Sequence, residues 1–209
     1  MIETARRMNA LGINRGKSGN VSARINRGFL VTPSALDYDK TRPEDIVAID
    51  NADNTIGRRS PSSEWRFHRD IYAARTDVEA IVHAHAPFAT TIACLDRGIP
   101  PFHYMVAAAG GRDIRCAPYA TFGTQALSDA AVRALEDRRA CLLAHHGMIA
   151  VGASLDAALA LSVEVEALAQ MYWQALAVGE PRLLDEREMR EVVERFADYR
   201  PHIAHAGRR

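Results

Sequence analysis

The sequence predicts an α/β fold built on a mixed sheet, and three observations carry the prediction. Short apolar runs such as residues 78–85 alternate with stretches of helical periodicity such as 154–172. Hairpin signals in the first third, with a turn at Asn26-Arg27-Gly28, introduce antiparallel pairs that a purely parallel sheet lacks. The 209 residues, nearly half of them apolar, are enough for one domain over 1–209 with a sizeable core.

A helix is expected from about Glu3 to Leu11, followed by the turn-forming loop GINRGKSGN. VSARINRGFLVTP reads as a hairpin, and DIVAID with NADN repeats the strand-and-turn pattern. Ser62 and Ser63 are N-cap residue types ahead of EWRFHRDIYAAR, a helix carrying Trp65, Ile71 and Tyr72 toward a core. Residues 78–85 form a buried strand, and Pro87 opens a helix reaching about Leu95. A loop rich in Gly and Ala around 106–111 leads to a strand in IRCAPYA. TQALSDAAVRALEDRR is a helix with Leu127, Ala131, Ala134 and Leu135 on one face. ACLLAHHGMIAVG reads as one strong strand. Ser154 caps a long helix in which Leu155, Leu159, Ser162, Val165, Leu168 and Tyr172 recur as a core-facing stripe. A last helix, about Asp185–Phe196, closes the domain.

The formal net charge is zero and no long basic run occurs, which argues against nucleic acid or an anionic membrane as main partner. Arg58-Arg59 and Arg138-Arg139 are short clusters at element edges, read as solvated surface. Cys94, Cys116 and Cys141 are odd in number and form no CxxC pair, as expected of small buried thiols in a reducing cytoplasm. The N-terminal stretch is amphipathic and not a secretory signal, and no apolar run is suited to span a membrane.

The chemistry starts at VEAIVHAHAPFA. Residues i and i+2 of a strand share a face with Cα atoms about 6.5 Å apart, so His83 and His85 can converge on one ion. They could equally be two polar residues meeting water at a strand end. A catalytic zinc site needs about three protein ligands and an open position. His145 and His146 supply one further candidate between them, since adjacent strand residues face opposite sides, and the spacing does not choose. Glu64 sits in a helix first turn, where a carboxylate is favoured with or without a metal. His68, four residues on, has the spacing of an ordinary surface histidine. GKSGNVS with Lys17, TPSA at 32–35, and Ser62-Ser63 offer N–H groups and hydroxyls to an anion. Turn formation and capping also explain each of them.

Taken together, SGNVSAR, SSEWRFH, VHAHA, HYMVAAAGG, APYATFGT and HHGMIA resemble, in order and near spacing, the class II aldolase/adducin-head family from about Leu11 to Tyr199. The resemblance implies a three-layer fold, a largely antiparallel mixed sheet between helices, assembled as a cyclic homotetramer with sites at subunit interfaces. It implies zinc, with manganese or cobalt as alternatives, on Glu64, His83, His85 and His146. Gly19, Asn20, Ser34, Ser62 and Ser63 match phosphate-binding positions, Phe122 and Tyr199 the aldehyde end. Tyr104 matches a tyrosine reaching a neighbouring subunit's site, and Glu64 and Tyr104 match the catalytic pair. The implied reaction is cleavage of a ketose 1-phosphate, L-fuculose 1-phosphate first among them, to dihydroxyacetone phosphate and L-lactaldehyde. L-Ribulose-5-phosphate 4-epimerase and other sugar-phosphate lyases share the scaffold. A non-catalytic adducin-like scaffold would lack the metal-binding histidines, all of which are filled here. The chain starts later than is usual for the family. Lys17 stands for a small polar residue, and Ala35 stands for a glycine of the phosphate loop.

Overall fold

Alternation along the central strands sorts the core into two halves, one on each side of a single sheet. In the computed structural model, which describes residues 1–198, eight strands run in the order β4-β3-β2-β1-β5-β8-β7-β6. They are β1 (Asn20–Ile25), β2 (Gly28–Val31), β3 (Val47–Asp50), β4 (Thr55–Ile56), β5 (Ala80–Ala84), β6 (Arg115–Ala117), β7 (Ala140–Leu143) and β8 (Gly147–Gly152). The β6–β7 pair is parallel, and every other pair is antiparallel.

One face packs Ile81, Cys141, Leu143, Ile149 and Val151 against α2 (Trp65–Ala74) and α4 (Gln125–Ala134). The other packs Val82, Leu142, Met148 and Ala150 against α1 (Ile2–Ala10), α3 (Pro87–Ala93), α5 (Leu155–Val178) and α6 (Glu186–Asp198). The result is the helix–sheet–helix sandwich the resemblance implies. Fully burying each large aliphatic side chain of this kind stabilises by about 1.5–3 kcal/mol relative to exposure. The long helix is capped as expected, Ala157 N donating to Ser154 Oγ at 3.1 Å. Its stripe from Leu159 to Tyr172 is buried, while Leu155 is half-buried.

Four expectations change. ACLLAHHGMIAVG is two strands, β7 and β8, joined by a turn at Ala144-His145-His146. His145 takes a left-handed φ of 54°, and His146 N donates to Leu143 O at 3.0 Å. Both strands are buried on both faces, so the apolar run is continuous and hides the turn. The segment near 106–111 contains a 3-10 helix, Tyr104–Ala109, closed by left-handed Gly110. Cys94 is exposed and Cys116 half-buried; Cys141 alone of the three is buried. The arginine pairs are not merely solvated: Arg58 and Arg59 meet the buried Asp45 at 2.8 and 2.9 Å. Arg138 is itself buried, donating to Asp113 at 2.6 Å. Among the described residues, no helix is long and apolar enough to cross a membrane.

Candidate metal centre and substrate cleft

The central position of β5, between β1 and β8, puts the HAH segment at the middle of the sheet. His83 is on the strand and His85 just past its end. His83 Nδ1 donates to Met148 O at 2.9 Å, which fixes the proton there and leaves the Nε2 lone pair free in the neutral ring. His146 arrives from the β7–β8 turn. Glu64 occupies the N-cap position of α2, one residue before the helix rather than in its first turn.

Ligand atoms of Glu64, His83, His85 and His146 all lie within 4.8 Å of one another. His83 Nε2 is 3.1 Å from His85 Nε2 and 3.2 Å from Glu64 Oε2, and His146 Nε2 is 3.0 Å from Glu64 Oε1. Four donors at zinc bond lengths would define a tetrahedron with edges of about 3.3–3.4 Å, close to these separations. The three imidazole planes stand 73–88° apart, so the rings converge on a point instead of stacking. Glu64 Oε1 is buried and accepts no hydrogen bond, a state that is costly unless a cation or proton meets it. The donor set therefore fits a divalent ion of borderline softness.

The electrostatics agree. Burial works to raise the Glu64 carboxyl, but the His83 and His146 imidazoles outweigh it and hold the carboxyl well below the usual carboxylate range. Burial works to lower the His83 imidazole, but the Glu64 carboxylate outweighs it and the net shift is upward. For His85, burial and then the neighbouring His83 and His146 push the ring down to about 4.

A cleft of about 270 Å³ opens beside this group, lined by Ser18, Ser63, Glu64, His85, His146, Tyr119, Ala120, Phe122 and His145. A larger depression of about 660 Å³ beside Arg24 and Arg69 is not a rival site. Asp53 and Asp70 there are already paired with Arg69 at 2.6 and 2.7 Å. Ser62 Oγ accepts from Asn20 Nδ2 at 2.9 Å and from Glu64 N at 3.3 Å, which leaves its own hydrogen to donate. Both hydrogens of the Asn20 amide are used, one on Ser62 and one on Glu64 Oε2 at 2.9 Å. Asn20 thus joins the Ser62 hydroxyl to the Glu64 carboxylate. Ser34 is exposed on an adjoining segment, its N donating to Ser60 O at 3.0 Å, and Lys17 is exposed nearby in sequence to Ser18.

Two glycines are dictated by close approach. A Cβ on Gly19 would stand 2.5 Å from His83 O, and one on Gly147 would stand 2.6 Å from Ala84 O and 3.1 Å from His85 Cδ2. Tyr104 is half-exposed on its 3-10 helix and does not line the cleft of its own chain. Tyr199 lies outside the described residues. His145 is not in the ligand group; its Nε2 lies 3.5 Å from Asp96 Oδ2. His68, read as a surface residue, is fully buried and hydrogen-bonded at both nitrogens. Its i+4 spacing from Glu64 was the available signal. On the cleft wall, His145 was met only as the alternative to His146, and Tyr119 only within the APYATFGT motif.

The sequence profile described as Class II Aldolase and Adducin N-terminal domain matches residues 1–173. A Rhodospirillum rubrum 5-methylthioribulose-1-phosphate/5-deoxyribulose-1-phosphate aldolase is 56% identical over 199 residues, 95% of this chain and 90% of that protein. An Escherichia coli L-fuculose phosphate aldolase is 47% identical over 200 residues, 95% of this chain and 93% of that one. Among solved structures, an L-fuculose 1-phosphate aldolase superposes with a TM-score of 0.91 at 40% identity, over 94% of this chain and 93% of that chain. With the glutamate and three histidines assembled as above, the chain belongs to the class II aldolase and adducin N-terminal domain family and stands among its class II aldolases.

Proposed function

We propose that the protein reversibly cleaves a ketose 1-phosphate to dihydroxyacetone phosphate and a short aldehyde, using zinc held by Glu64, His83, His85 and His146. The observation that carries this reading is the convergence of those four side chains beside the serine-lined end of the cleft. Manganese or cobalt would suit the same ligands. When bound, the ion supplies Lewis-acid charge for the electron pair that C3–C4 cleavage leaves on the dihydroxyacetone phosphate half.

The chain's own groups do the rest. Gly19, Ser34, Ser62 and Ser63 frame the phosphate end, with the Ser62 hydroxyl hydrogen free to be donated, while Asn20, both of its amide hydrogens already used, braces Ser62 from behind. This grip positions the reacting carbon. Glu64, ionised at neutral pH, takes the C3 proton in condensation and returns it in cleavage. Oε2 is held by the Asn20 amide, so Oε1 is the oxygen left to carry that proton. Tyr104 of a neighbouring copy donates a proton to the aldehyde oxygen in condensation and removes it in cleavage. Phe122 and Tyr199 enclose the aldehyde. On the family resemblance, the protein acts as a cyclic homotetramer of single-domain subunits in the cytoplasm.

On substrate, the 56% identity to the Rhodospirillum rubrum enzyme favours 5-deoxyribulose 1-phosphate and 5-methylthioribulose 1-phosphate, which release acetaldehyde and methylthioacetaldehyde. L-Fuculose 1-phosphate is the second reading, supported by the E. coli relative and the superposed structure. The test is to supply each ketose 1-phosphate to zinc-loaded protein and follow dihydroxyacetone phosphate, with and without chelator. Chelator-sensitive release is expected, fastest with a 5-deoxypentulose. No release from any of them would overturn the reading and point to the 4-epimerase chemistry of the same scaffold.

A further inference from the structure

Behind the cleft, β1 and α2 share a buried polar ladder that packing alone does not require. Asn20 and Ser22 lie on one face of β1, at i and i+2. His68 and Tyr72 lie on one face of α2, at i and i+4, in line with Glu64 at the N-cap of that helix. All five side chains are buried. Asn20 Nδ2 is 2.9 Å from Glu64 Oε2, and Asn20 Oδ1 is 2.6 Å from His68 Nε2. His68 Nδ1 is 2.7 Å from Ser22 Oγ, which is 2.8 Å from Tyr72 Oη.

The ionised carboxylate determines the direction of every bond. Glu64 Oε2 can only accept, so the Asn20 group facing it is the amide nitrogen. Asn20 Oδ1 then faces His68, whose Nε2 must carry the ring proton. His68 Nδ1 is left as the acceptor, Ser22 donates to it, and Tyr72 donates to Ser22. The opposite tautomer would put two lone pairs together at Asn20, or turn the Asn20 oxygen onto the carboxylate. The Phe67 and Phe29 rings neighbour the imidazole, with centroids 4.6 and 6.4 Å away.

We propose that His68 is a positioning residue: as the Nε2–H tautomer braced by Ser22 and Tyr72, it orients Asn20, and through Asn20 it holds Glu64 Oε2 so that Oε1 faces the reacting carbon. The inference rests on the proposed acid/base role of Glu64. It explains why three polar side chains are buried behind the site, where apolar ones would avoid the desolvation cost. Any of these side chains could pack; only this order of donors reaches the carboxylate with its amide hydrogen.

The test uses zinc-loaded protein. With ¹⁵N-labelled histidine, long-range ¹H–¹⁵N correlations are expected to show His68 neutral with its proton on Nε2; a proton on Nδ1 overturns the proposal. This measurement needs no substitution, so it decides even where a variant does not fold. His68→Leu, checked for folding by circular dichroism, should lose about 10–100-fold in kcat with KM nearly unchanged. His68→Gln, whose amide can still donate to Asn20, should recover most of that loss. A folded His68→Leu with wild-type kcat, or a His68→Gln no better than leucine, would each overturn the role. Glu64→Gln run alongside separates the two readings. Full turnover there removes the role of Glu64 itself, whereas an inactive Glu64→Gln beside an active His68→Leu removes only the positioning role.

Discussion

Gly147→Ala places one methyl group where three ligands depend on it. The added Cβ would meet Ala84 O at 2.6 Å and His85 Cδ2 at 3.1 Å, with the backbone oxygen the harder obstacle. Ordinary van der Waals contact begins near about 3.4 Å, so β8 must withdraw from the end of β5 by roughly 0.5–0.8 Å. Relief of that kind of overpacking costs about 1–3 kcal/mol. For a chain of this length each kcal/mol lowers Tm by about 2–4 °C, so a fall of roughly 2–12 °C is expected. The larger effect is local. Metal–ligand distances tolerate deviations of only about 0.2 Å, and His146 precedes the substituted residue directly while His85 is the side chain it strikes. Zinc content per protomer after dialysis, measured by elemental analysis, should fall well below one while the circular dichroism spectrum stays folded. A folded Gly147→Ala protein that keeps stoichiometric zinc would refute the claim that this glycine sets the approach of the two histidine segments.

Ala35 holds a left-handed φ of 56°. That conformation costs a non-glycine residue about 1–2 kcal/mol, against roughly 0.5–1 kcal/mol of glycine's extra unfolded-state freedom, so Ala35→Gly should raise Tm by a few degrees in a thermal melt. Mixing Glu64→Gln and Tyr104→Phe subunits, each inactive alone, should restore activity at roughly a quarter of sites if Tyr104 serves a neighbour; no recovery would place it elsewhere. His68 is pushed down to about 3, first by burial and then by His83. The unfolded chain therefore binds this proton below pH 6.5 while the folded one does not until about 3, and stability falls as pH drops through that window. Between pH 6.5 and 4 the loss is on the order of 3 kcal/mol, and denaturant titrations of chelated protein should show a flatter profile for His68→Gln.

What the sequence revealed depended on how local the physics was. Leu127, Ala131, Ala134 and Leu135 announced their helix because one periodicity decided their burial. His83 and His85 could be placed on one face by strand geometry, and the structure brings them within 3.1 Å of each other. The β7–β8 turn was not legible, because two doubly buried strands leave no polar break and the turn uses a histidine in a left-handed conformation. His68 was misread for the complementary reason. Its partners Ser22 and Asn20 lie more than forty residues away, and only the docking of α2 on β1 brings them together. Choosing His146 over His145 needed the family resemblance. His146 Nε2 lies 3.0 Å from Glu64, whereas His145 Nε2 lies 3.5 Å from Asp96.

The order in which the ligands occur along the chain bears on when the metal can be taken up. Glu64, His83 and His85 are made early, but His146 follows roughly sixty residues later, beyond α3, β6, α4 and β7, and reaches them only when β8 pairs with β5. A nascent chain therefore holds an incomplete chelate, and the polypeptide must close its most distant strand pair around the site before a full set exists. With the metal held as proposed, binding would act as a latch on a finished fold rather than a seed for it. Zinc should slow unfolding, through mass action on the native state, while leaving the refolding rate in chelator nearly unchanged.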